Sequence, residues 1–210
     1  MITSRDEQIL LALTKKCRVM TSEQAARSWW GGQVDSQANA TRRLRKLVRM
    51  GWLLEFMLFS RPLLALREPL VSWNLNNDAP SFNALAWKAL SRWREPACRL
   101  PVFAASPRSL RHFGIPRRRA IKSPFQVTHD LHVTQVFLVY RQRWPDLASL
   151  WVGEDDGSSD DRSGIVPDAR LLAPSGQAIR AIEFGGRYRA DRLQAFHDGC
   201  VQRNLPYEVW

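Results

Sequence analysis

Asp168, in Val166-Pro167-Asp168, and Glu183, closing Ile179-Arg180-Ala181-Ile182-Glu183, flank the turn residues Pro174-Ser175-Gly176. Two strands joined by such a turn bring their far ends together. Two carboxylates meeting at one sheet edge can hold a divalent metal on a scissile phosphate, with a lysine to steady the attacking water or the developing charge. That lysine is missing: Gly185 stands two residues beyond Glu183, and no lysine follows Lys122. Arg180 or Arg187 can substitute only as an always-charged cation, not as an acid or base. Glu154 or Asp155 is the candidate further ligand, and Asp168 beside Pro167 also reads as a turn residue. A buried acid lacking a partner is costly, so Glu183 is expected to pair with an arginine or to mark a relic site. His129 and His132, three apart on one helix, can bind metal, but no third Cys or His lies near, and structural histidines are expected.

The second chemistry-bearing stretch is cationic. A helix from about Ser36 to Met50 carries Ala40, Leu44, Leu47 and Val48 on one face and Arg42, Arg43, Arg45, Lys46 and Arg49 opposite. Ser36, Gln37, Asn39 and Thr41, near its start, are the candidates for reading base edges, because the first turns of a recognition helix go deepest. Lys46 and Arg49 suit phosphate, and Arg42 and Arg43 suit either role.

The elements that must position this helix precede and follow it. Ser4 and Glu7 have capping-box spacing for a helix over about Arg5–Lys16, and Thr21 or Ser22 can cap a second through Trp30. Gly31-Gly32 ends it, and Gly51 ends the basic helix. Residues 52–59 and 70–75 read as two strands around Arg61-Pro62 that pair as a wing. The stretch DEQILLAL…MTSEQAARSWW…ATRRLRKLVRMGWL resembles winged-helix DNA-binding domains.

Residues 81–93 form an amphipathic connecting helix, and residues 95–115 show poor periodicity. Arg117, Arg118, Arg119 and Lys122, between Pro116 and Pro124, form an arm that can follow a phosphate backbone or a plain surface loop. From Thr128, a capped helix runs to Trp144-Pro145, followed by strands at 149–152, 166–172 and 179–184, a helix over 189–204 and a strand at 207–210. This order resembles restriction-endonuclease-like folds, whose motif is a Pro-Asp followed by (Asp/Glu)-x-Lys.

Charge agrees with a two-part chain. The 210 residues carry a net +11. Residues 1–125 hold 22 basic and 8 acidic side chains, residues 126–210 hold 9 and 12, and such asymmetry points to a nucleic-acid-binding part joined to a part with another task. No window approaches the roughly 18 apolar residues of a spanning helix, so a membrane partner and secretion are not expected. Three widely spaced cysteines make neither a disulfide framework nor a metal motif, so a reducing cytoplasm is expected.

As a whole, through RDEQILLAL, TRRLRKLVRMGWL, HDLHVTQVFL, VPDARL and AIEFGGRY, the chain resembles the MobC or replication-relaxation family of plasmids and integrative conjugative elements. The resemblance implies a winged helix fused to a degenerate nuclease-like domain, acting in plasmid replication control, mobilisation or transfer-gene regulation. The expectation is an α+β chain: an N-terminal winged helix-turn-helix over 1–78, a connecting helix and basic linker over 79–125, and a small α/β restriction-endonuclease-like domain over 126–210. It binds double-stranded DNA without cofactor or metal, as a homodimer that matches a palindromic site, with a relaxase or replication protein as a further candidate partner. The rival is a metal-dependent endonuclease using Asp168 and Glu183.

Overall fold

The computed structural model describes residues 1–32, 34–115, 124–154 and 166–210, and all structural statements concern these. The chain is mixed α+β with two sheets, and its contacts gather into two discontinuous units, 1–63 with 96–138 and 64–95 with 139–210. Both differ from the contiguous division expected at 78 and 125.

In the first unit, helix α1 (Ser4–Leu11) continues into a π-helical turn, Ala12–Lys16, and a two-residue strand β1 (Val19–Met20) leads to α2 (Ser22–Trp29) and α3 (Ser36–Arg49). The N-terminal box is one residue earlier than its sequence spacing suggests. Thr3 caps α1, and Asp6, not Glu7, returns the bond, while Thr21 and Gln24 form the equivalent box on α2. Both boxes satisfy amides left open at a helix start. Ile9, Leu10 and Leu13 of the first helix and Ala40, Leu44 and Leu47 of α3 are buried.

Gly51, at φ 75°, closes α3. Trp52 N–H bonds Leu47 carbonyl and Gly51 N–H bonds Val48 carbonyl, both at 2.9 Å, a pairing that requires the left-handed residue between them. The turn is then held from outside by α5 (Pro107–His112). Ser106 Oγ donates to Gly51 carbonyl at 2.7 Å, Arg108 Nη1 to Met50 carbonyl at 2.8 Å, and Ser109 Oγ to Trp52 carbonyl.

The expected wing pairing is not present. Strand β2 (Leu53–Ser60) pairs antiparallel with β4 (Cys98–Ala105), whereas β3 (Val71–Trp73) belongs to the other sheet. The first sheet has the order β1-β4-β2. Its central strand comes from the stretch whose pattern showed no periodicity. Pro101 is tolerated there because β1 reaches only Phe103 and Ala104, so at Pro101 no second strand needs the missing N–H. Residues 64–95 are therefore an insertion between the two long strands, and they build the other unit. Helix α6 (Pro124–Arg143) begins before Thr128, so Thr128 is interior and not a cap. Its Oγ1 instead accepts Arg61 N–H at 3.1 Å. Val127 and Leu131 of this helix pack on Val19 and Val102.

The second unit has a five-stranded sheet of order β3-β8-β7-β6-β5, with β5 (Trp151–Gly153), β6 (Ala169–Leu172), β7 (Ala178–Glu183) and β8 (Tyr207–Val209). Strands β5, β6 and β7 form an antiparallel meander, and β7 crosses to a parallel β8 through α8 (Ala190–Gln202). Helix α4 (Phe82–Ser91), read as a connector, lies here and contributes Leu85 to a core with Trp73, Leu193, Phe196, Tyr207 and Val209. The short α7 (Pro145–Ser149) precedes β5. Among the described residues, no helix is long and apolar enough to cross a membrane.

Candidate nucleic-acid interface

The exposed face of α3 divides into side chains held within the protein and side chains turned outward. Ser36 is buried and donates through Oγ to Trp30 carbonyl at 3.0 Å, so it fixes the helix start and does not face a groove. Arg43, expected on the cationic face, forks onto Asp6: Nε donates to Oδ1 at 2.8 Å and Nη2 to Oδ2. Asp6 is 0% exposed. Burial opposes its charged form, but hydrogen bonds from Arg43 and from Thr3 outweigh this and hold the carboxyl below its ordinary value. Arg43 thus ties α1 to α3. Arg45 donates through Nε to Glu55 Oε1 at 3.1 Å, linking α3 to β2.

Gln37, Asn39, Arg42, Lys46 and Arg49 remain exposed. Arg42 Nη2 donates to Asn39 Oδ1 at 2.6 Å, and half-buried Thr41 donates to Gln37 carbonyl at 2.8 Å. Beside them lies a basin of about 490 Å³ lined by Arg5, Trp30, Asn39, Arg42, Lys46 and Arg49 as well as the Asp6–Arg43 pair. Arg5, which the sequence reading passed over, lies with its guanidinium carbon 4.5 Å from the Trp30 ring centre. A cation in the first turn of a helix opposes the helix dipole, and that misfit was the signal in the sequence. Arg61 is half-buried with its amide bound to Thr128. Arg117, Arg118, Arg119 and Lys122 lie outside the described residues.

The charge follows the units. Counted over 1–63 and 96–138 the sequence holds 18 basic and 6 acidic residues, and over the remainder 13 and 14. The cationic excess belongs to the unit that carries α3.

The carboxylates do meet. Ala169 faces Ile182, which sets Asp168 beside Glu183. Asp168 N–H donates to Glu183 Oε2 at 3.2 Å, and Phe184 N–H donates to Asp168 Oδ2 at 2.7 Å. Each carboxylate so accepts a main-chain amide across the strand ends. Of the cations considered from sequence, Arg180 pairs with Glu208 at 2.5 Å and Arg187 is exposed. A cation the sequence did not single out, Arg192 on α8, interacts with both carboxylates and lies 4.5 Å over the Tyr188 ring. Tyr188 is pushed well above its ordinary value by burial and then by the charges of Glu183 and Asp168. Glu154 N–H donates to Asp168 carbonyl at 3.0 Å, but among the described residues no three His, Cys, Asp or Glu side chains gather at metal-binding distance. Asp155 lies outside the described residues. His132 is buried, its Nδ1 2.6 Å from Thr128 carbonyl, and His129 lies 3.7 Å from Asp130.

Compared with known proteins, the chain matches no family model, no curated protein and no solved structure.

Proposed function

We propose that the chain is a sequence-specific double-stranded DNA-binding protein in which α1 to α3 and the β1-β4-β2 sheet form a winged helix-turn-helix, with the paired β2 and β4 as its wing and α3 in the major groove. The observation that carries this reading is the continuous cationic basin formed by Arg5, Arg42, Lys46 and Arg49 along the outward face of α3. A duplex presents phosphate at short, regular spacing, and clustered guanidinium and ammonium groups release its counterions. Gln37 and Asn39, in the first turns of the same face, are the base readers, and Arg42 beside them meets phosphate. Arg43 and Arg45 position the helix and do not contact DNA.

The resemblance to the MobC or replication-relaxation family supports a role on a mobile element, as transcription regulator or as replication or mobilisation accessory factor. Two copies related by a two-fold axis bind a palindromic site. Capture and sequencing of genomic DNA bound by the full chain tests the reading: it predicts one recurrent, two-fold symmetric motif, and bound fragments without a shared motif contradict it.

A second reading is favoured by one observation, the meeting of Asp168 and Glu183 at the end of a β5-β6-β7 meander followed by α8 and β8, an order that resembles a restriction-endonuclease core. In it the pair holds a metal for phosphodiester cleavage, with Arg192 as the fixed cation. Magnesium-dependent nicking of plasmid that is lost in both Asp168→Ala and Glu183→Ala separates this reading from the first.

A further inference from the structure

In the second unit, Asn83, Trp87 and Leu90 recur along one face of α4, while Leu85 and Ala89 of the other face are buried. Trp87 is 70% exposed and Leu90 50%. Together they make one wall of a groove of about 510 Å³ whose other wall is Arg187, Tyr188, Arg189 and Asp191, where the chain enters α8. That volume falls in the roughly 300–1,000 Å³ range of ligand clefts.

Charge and ring chemistry select the occupant. Asp191, the carboxylate among the lining residues, lies 3.6 Å from Arg189 Nε, so the wall keeps a net cation. Asp168 and Glu183 act on Tyr188 from the sheet, and Arg192, over the same ring, offsets them in part. An apolar partner helix covers Trp87 and Leu90 and leaves the arginines facing hydrocarbon. A duplex brings phosphate but keeps its base faces stacked inside. A single strand brings both components: a free base plane for the indole and phosphates for the guanidinium groups.

We propose that this groove binds single-stranded nucleic acid, one base stacking on Trp87 and the neighbouring phosphates held by Arg187 and Arg189. Asn83, one turn before Trp87, meets the edge of the stacked base with both a donor and an acceptor. The site uses none of the residues assigned to duplex binding.

The test is fluorescence anisotropy on the full chain with labelled oligodeoxythymidine and a labelled random-sequence duplex. Trp87→Ala lowers oligonucleotide affinity by about 5- to 150-fold, the worth of one lost base stack, and leaves duplex affinity unchanged, while Trp87→Phe keeps most of it. The double substitution Arg187→Ala/Arg189→Ala flattens the salt slope for the oligonucleotide by about 1.4 units, two single-strand phosphate contacts. Arg42→Ala/Lys46→Ala weakens duplex binding and spares the oligonucleotide, so failure of the duplex reading shows separately. The proposal is overturned if the wild type does not bind oligodeoxythymidine, or if Trp87→Ala changes neither probe or both equally. It is also overturned if polyglutamate competes as well as the oligonucleotide, which makes the groove an acidic-peptide site. A change only in the sedimentation of the protein alone overturns it too, making the groove an interface between copies.

Discussion

Arg43→Ala separates a residue that positions the basic helix from one that contacts DNA. The substitution removes the guanidinium that faces a fully buried carboxylate, since Asp6 is 0% exposed and the Arg43 side chain 21%. Breaking a buried ion pair by deleting one partner costs about 3–5 kcal/mol. Thr3 still donates its N–H and its hydroxyl to Asp6 Oδ2, each at 2.7 Å, so the lower end, about 3 kcal/mol, applies. For a chain of this size that is a fall of about 6–12 °C in Tm, read by calorimetry or thermal circular dichroism. The pH dependence shifts as well. Because the folded carboxyl lies below its ordinary value, the pair's contribution is fully present above about pH 4 and is lost as pH falls through the depressed value. In Arg43→Ala the carboxyl loses the partner that most lowers it, so the acid-dependent loss through Asp6 shrinks and the stability difference between wild type and variant narrows as pH falls below about 4. The salt slope of duplex binding stays unchanged. An unaltered Tm together with a slope reduced by about one unit refutes the reasoning and makes Arg43 a phosphate contact.

Gly51→Ala costs about 1–2 kcal/mol, because the left-handed backbone there is strained for any L side chain while the added Cβ meets nothing closer than Arg108 Nη1 at 4.0 Å; urea denaturation measures it. A chain truncated near residue 80 loses β4, the centre of the β1-β4-β2 sheet, and is expected to show no cooperative unfolding transition by circular dichroism. Glu183→Ala, at a residue 3% exposed, removes the acceptor of the part-buried Asp168 N–H, a loss of about 1 kcal/mol, the lower end for an unmet donor, that chemical denaturation reads whether or not the pair has a second role.

Local signals in the sequence located most elements and left their pairing open. The 3.6-residue spacing of Ala40, Leu44 and Leu47 and the glycine at 51 mark α3 because one helix buries one stripe and its end needs a left-handed residue. The Asp168–Glu183 meeting was legible because a hairpin turn sets its own register. Strand β4 was not: Cys98-Arg99-Leu100-Pro101 has neither alternation nor β-propensity, and its place is fixed by β2 and by Val19 and Met20 across the sheet. The partner of β2 was misassigned for the same reason, since 70–75 is near in sequence while the true partner follows a 37-residue excursion, 61–97. Arg43 and Asp6, 37 residues apart, share no local pattern, so a cationic stripe looked uniform when one of its members was already paired.

The central claim, that the outward face of α3 engages duplex phosphate, is tested most directly by a salt titration of affinity for a random-sequence duplex, comparing the wild type with Arg42→Ala/Lys46→Ala/Arg49→Ala. Each phosphate contact contributes about 0.9 to the slope of log affinity against log salt, so the triple variant is expected to lose roughly 2.7 units of slope while keeping the wild-type Tm. A triple variant that binds the duplex with unchanged affinity and slope contradicts the account.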